Sequence, residues 1–186
     1  MRRSLRYVFL ATAVLLFLAG CSEDPAKPQN PAQNETAKGS PKQGGEFIYA
    51  LAGSPSGLDP NVVPAALDYR VMRSIYDSLV AQMPDKSIQP WLATEWTVSP
   101  DGKSYTFKLR QDVKFHDGTP FNAAAVKYNF ARIVDPRTKS RFAVTLIGPY
   151  ESSEVIDEYT IKVNLKSPYS AFLSSLSQAF LGIVSP

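Results

Sequence analysis

Residues 92–130 read LATEWTVSPDGKSYTFKLRQDVKFHDGTPFNAAAVKYNF, and the folded part of this chain is decided there. Tyr105, Phe107 and Leu109 alternate with Thr106, Lys108 and Arg110. That period of two predicts a strand with one face buried and one in water. Ser99-Pro100-Asp101-Gly102-Lys103 is a turn, so Thr94–Val98 becomes the first arm of a hairpin. After Asp117-Gly118 the period lengthens. Asn122 is placed to cap a helix in which Val126, Phe130 and Ile133 share a face, and Asp135-Pro136 ends it.

Elements of both kinds continue on either side. Phe47–Ala52 is a short apolar run stopped by Gly53 and is predicted to be a buried strand, followed by a turn-rich loop, Ser54–Pro60. Leu67–Ala81 carries Val71, Ile75 and Leu79 at intervals of four and predicts an amphipathic helix. Val155–Ile156 and Tyr159–Leu165 flank Asp157-Glu158 as a second hairpin. Ser167-Pro168 is expected to open a helix with Phe172, Leu176 and Phe180 on one side, and Ile183-Val184 to start a strand. Helices and strands in mixed order imply an α/β or α+β protein.

The N-terminus is different in kind. Arg2, Arg3 and Arg6 precede an uncharged apolar stretch, Tyr7–Leu18, which ends at Leu18-Ala19-Gly20-Cys21. This is the pattern of a secretory signal peptide over residues 1–20. Its end resembles the bacterial lipobox, which implies that the chain's single cysteine, Cys21, receives a diacylglyceryl group and anchors the protein to a membrane. Ser22–Gly45 holds four prolines and no aromatic residue, Leu, Ile, Val or Met, so residues 21–45 are expected to be a disordered tether. Of the 20 Lys and Arg, three lie in the signal, leaving 17 against 17 Asp and Glu. A neutral mature chain carries no nucleic-acid footprint.

Catalytic and metal chemistry have little to stand on. His116 is the only histidine and sits in a predicted turn without a nucleophile elbow elsewhere. Glu151, Glu154, Asp157 and Glu158 do not follow a calcium-loop pattern. Trp91 and Trp96 are expected to plug the core. No enzyme activity, cofactor or metal is therefore expected.

The block Leu92–Phe130 closely resembles the signature region of bacterial extracellular solute-binding proteins of family 5, the peptide and nickel receptors of ABC importers. Gly57-Leu58-Asp59-Pro60, Ile75–Val80 and Asp157-Glu158-Tyr159-Thr160 agree with it. The resemblance covers residues 45–186. It implies a type II periplasmic-binding-protein fold, present as a partial first lobe (46–60 and 166–186) with a mixed α+β accessory subdomain (61–165). It implies capture of a peptide or similar small solute, closure by a hinge, and delivery to ABC permease subunits at the extracytoplasmic face of the cell membrane. Family receptors are longer, so the chain is expected to be an N-terminal fragment that does not bind solute alone. The candidate solute-facing residues are Ser54, Pro55, Ser56 and Gly57, in the loop after the first strand, with Ala66 and Tyr69 at the helix. Gln178–Gly182 is a weaker candidate. The alternative reading is a membrane-displayed interaction lipoprotein, adhesin-like or chaperone-like. A secreted hydrolase is disfavoured by the missing catalytic set.

Overall fold

The computed structural model describes residues 44–186. The expectations for the leader 1–20, for Cys21 and for the tether as far as residue 43 lie outside the described residues. Residues 44–47 belong to a separate N-terminal unit and form no regular element; the second unit is Ile48–Pro186.

The centre of that unit is a four-stranded antiparallel sheet. Its strands are β3 (Ala93–Val98), β4 (Ser104–Leu109), β5 (Tyr150–Asp157) and β6 (Thr160–Leu165), in the spatial order β3-β4-β6-β5. Tyr105 lies opposite Val163 and Phe107 opposite Ile161, so the alternation predicted for each strand falls on one common face. Phe107, Ile161 and Val163 are fully buried, each contributing about 1.5–3 kcal/mol of transfer free energy. The opposite face is polar: Lys108 reaches Glu95 at 2.6 Å and Ser104 reaches Asn164 at 3.0 Å.

Helix α2 (Ala123–Val134) covers β5 and β6. It starts where the sequence says, because the Asn122 side chain accepts from the Ala125 N–H at 3.0 Å, a cap worth about 1 kcal/mol. It stops at Asp135, whose carboxylate then accepts from Arg137 N–H at 2.8 Å to cap a short 3₁₀ turn, Pro136–Thr138. Val126, Phe130 and Ile133 share the buried face, and the Phe130 ring meets Tyr150 edge-on at 5.9 Å. Short helices α3 (Ala143–Leu146) and α4 (Phe172–Leu176) complete the layer, with Phe172 against Tyr105 at 4.7 Å.

Four expectations are corrected. Residues 48–52 form no strand, and Ile48 is 81% exposed. A strand needs a neighbour to take its N–H and C=O groups, and among the described residues no strand pairs with this run. The helix predicted over Leu67–Ala81 is only Ala66–Met72, here α1. Ser78 and Leu79 instead give their carbonyls to Leu92 and Ala93, and Val80–Gln82 (β1) pairs with Ile88–Pro90 (β2). Long-range pairing overrides the local period of four.

The helix expected at Ser167-Pro168 begins at Phe172. Before it, the Tyr169 ring presses on the Gly148 backbone so closely that a Cβ there would lie 2.6 Å from it. Gly148, at φ +66°, is what permits that approach. Ile183-Val184 is no strand either: Ile183 N–H donates to Asp77 O at 3.0 Å, while Val184 is paired by a side chain, Asn129.

Candidate functional site

The loop Ser54–Gly57 is fastened to α1. Asp68, in the first turn of that helix, is fully buried and accepts from both the N–H and the hydroxyl of Ser56, each at 2.6 Å. The Ser56 hydroxyl, with backbone donors, holds the Asp68 carboxyl below the ordinary carboxylate range despite burial. Ser56 therefore positions the loop with its own donors, while Ser54 and Pro55 remain exposed.

The next stretch, Gly57–Pro60, is fixed from the other side. Arg132 on α2 grips both carboxylate oxygens of Asp59 and donates to Asn61 Oδ1 at 2.7 Å. Asn61 in turn donates to the Phe180 carbonyl at 3.2 Å. The contact with Asp59 raises the Arg132 guanidinium pKa further.

Ala66 is exposed at the first position of α1, and Tyr69 follows one turn later on the same side. The Tyr69 ring packs against Phe180 at 5.2 Å, and Phe142 meets the same Phe180 edge-on at 4.8 Å. The structure thus joins Tyr69 to the weaker candidate segment Gln178–Gly182 through an aromatic row. Phe142, 42% exposed, carries no signal in the sequence, where it sits between predicted elements without periodicity.

Tyr69 also lines a cleft of about 530 Å³ between the C-terminal end of α1, the β1–β2 hairpin and Ser177–Ala179. Arg73, Asp77, Trp91 and Gln178 share its walls. Trp91, expected in the core, is 49% exposed here; its indole N–H donates to Asp77 at 2.7 Å. The polar end of the ring thus finds its acceptor at the cleft, as a tryptophan with one wet end does. Ser54, Pro55, Ser56, Gly57 and Ala66 do not line this cleft. A second cleft, about 280 Å³, is bordered by Tyr76, Phe115, His116 and Ile183. His116 is exposed at its mouth beside the predicted turn. Among the described residues no three His, Cys, Asp or Glu side chains gather as a metal site.

The described residues thus form a helical layer on a four-stranded sheet, with a lined cleft beside it. Residues 87–185 match the family described as bacterial extracellular solute-binding proteins, family 5 Middle. The chain is 38% identical over 141 residues to the glutathione-binding protein GsiB of Escherichia coli, which covers 76% of this chain and 27% of that protein. The crystal structure of NikA from Brucella suis in complex with Fe(III)-EDTA superposes with a TM-score of 0.67 at 34% identity, over 74% of this chain and 28% of that one. An ABC transporter substrate-binding protein from Sinorhizobium meliloti gives 0.62 at 33%, over 71% and 27%. The fold is therefore that of the type II periplasmic binding proteins, in part. The chain belongs to family 5 of the bacterial extracellular solute-binding proteins, and it spans about a quarter of the length of the relatives it matches.

Proposed function

We propose that this chain is the N-terminal portion of the substrate-binding component of an ABC importer, capturing peptides or related small solutes outside the cytoplasmic membrane for a membrane permease. The observation that carries the reading is the family match over residues 87–185. Residues 46–60 and 166–186 serve as part of the first lobe and 61–165 as its accessory subdomain. Ser54, Pro55, Ser56, Gly57, Ala66 and Tyr69 face the solute, the loop being held by the Asp68–Ser56 contacts and Tyr69 by Phe180. Cys21 carries the lipid that keeps the receptor near its permease, and residues 22–45 act as a flexible tether, raising the local concentration.

The test is a titration of glutathione and of short peptides into a full-length receptor carrying this segment. Tyr69→Ala and Ser54→Ala should weaken binding roughly tenfold, the loss of one good contact. Unaltered affinity in both removes these residues from the site. Membrane fractionation of Cys21→Ser tests the anchor separately, with release into the soluble fraction expected.

A further inference from the structure

Asp68 is a buried carboxylate without a countercharge. It is 0% exposed, and no cation pairs with it among the described residues. A buried charge is tolerated only where hydrogen-bond donors replace the water it has lost. Here the donors come from twelve residues away: Ser56 N–H meets Oδ1 and the Ser56 hydroxyl meets Oδ2, each at 2.6 Å. Gly57 lies so close to the stretch before α1 that a Cβ on it would stand 2.8 Å from Val63 Cγ1. The loop is thus folded back on the chain that leads into the helix, with a charge as its point of attachment. Both Ser56 donors are used there, while Ser54 and Pro55 are exposed.

We infer that Asp68 is a positioning residue for solute capture: acting through Ser56, it sets the loop in the shape that presents Ser54 and Pro55 to the solute, and it touches no solute itself. Lifting the loop away would leave the Asp68 charge buried without its donors, so the empty receptor already holds the loop in place. A loop ordered before binding loses less entropy when the solute arrives, and affinity rises for that reason. Each carboxylate oxygen takes one Ser56 donor, and two bonds fix an orientation where one would let the loop swing. The inference rests on the reading of Ser54–Gly57 as solute-facing.

The experiment is a calorimetric titration of glutathione and of trialanine into a full-length receptor carrying this segment. Wild type, Ser56→Ala, Asp68→Asn and the double variant are compared. Asp68→Asn keeps the volume but leaves one acceptor oxygen where two are used. Each single variant should raise Kd roughly tenfold at unchanged stoichiometry. The double variant should be no weaker than the weaker single one, within about twofold, because both changes break the same contact. Ser56→Thr retains both donors and should bind nearly as wild type does. A merely structural role would lower the fraction of competent protein, read as stoichiometry, and leave Kd alone. Should one single variant fail to fold, the other carries the test. Unchanged Kd in both, losses that multiply in the double variant, or a fall in stoichiometry alone overturns the inference. Ser54→Ala and Tyr69→Ala, titrated alongside, test the site itself. Weakening there with none at Asp68 removes the positioning role and leaves the solute-facing reading standing.

Discussion

The side-chain amide of Asn129 pairs with both backbone groups of Val184, accepting from its N–H at 2.9 Å and donating to its carbonyl at 2.8 Å. Asn129 is fully buried on α2 and also donates to the Ala125 carbonyl at 2.9 Å. One side chain thus does for the segment after Gly182 what a neighbouring strand would do. Asn129→Leu keeps the volume and removes the pairing, so it should destabilise the fold by about 2–3 kcal/mol. Urea denaturation would show this as a lowered midpoint with an unchanged slope; a midpoint shift near zero would mean that water replaces the amide.

Arg132 and Asp59 form the second long-range tie, and both are partly shielded, their side chains 22% and 38% exposed. A double-mutant cycle with Arg132→Met and Asp59→Asn should give a coupling of about 1–2 kcal/mol, above the usual surface pair because the contact is two-pronged. Additive single effects would reduce the pair to an exposed ornament of the loop.

Acid should loosen the end of the chain through Asp117. Its carboxylate accepts from the hydroxyls of Ser185 and Thr119, both at 2.6 Å, and from Thr119 N–H at 2.9 Å. Those donors, Ser185 first, lower its pKa from 3.8 to about 2. A depressed carboxyl stabilises the folded state above its unfolded pKa and loses that contribution as pH falls through the folded one. The stability gap between wild type and Asp117→Asn should therefore be widest above about pH 4–5 and close toward pH 2. A gap that stays constant over this window would show that Asp117 is not the titrating group.

Gly182 has an ordinary backbone conformation, φ −59°, yet no room. A Cβ there would lie 2.8 Å from Tyr76 Cβ and 3.0 Å from the Ala179 carbonyl oxygen, neither of which is a flexible side-chain end. Gly182→Ala should cost about 1–3 kcal/mol through overpacking. Because Tyr76 borders both clefts, the same variant in a Trp96→Phe background, where Trp91 is the sole tryptophan, should alter the Trp91 emission. A stable variant with unchanged emission would show that the segment moves aside freely.

The elements most legible in the sequence are those whose information is local. Tyr105–Leu109 and Ile161–Leu165 announce their buried face by strict alternation, and Asn122 announces the start of α2 by a cap that needs only the next turn. Where a distant partner decides, local pattern misleads. Leu79 fits the helical period of Val71 and Ile75, but its carbonyl is taken by Ala93 and the helix ends seven residues earlier. Trp91 has the composition of a core residue and becomes a cleft wall because Asp77, fourteen positions away, accepts its N–H.

The candidate site divides in the same way. Tyr69 and the segment Gln178–Gly182 are separate candidates in the sequence, and only the packing of both Tyr69 and Phe142 on Phe180 makes them neighbours. The sequence by itself determined the alternating sheet and the capped helix, because hydrophobic period and capping chemistry act over a few residues, and it carried the family through the resemblance of the block Leu92–Phe130. The tertiary structure alone decided where α1 ends, which side chains face the cleft and which charges stay unpaired, because those depend on hydrogen bonds and contacts between segments up to about a hundred residues apart, such as Ser78 with Gln178.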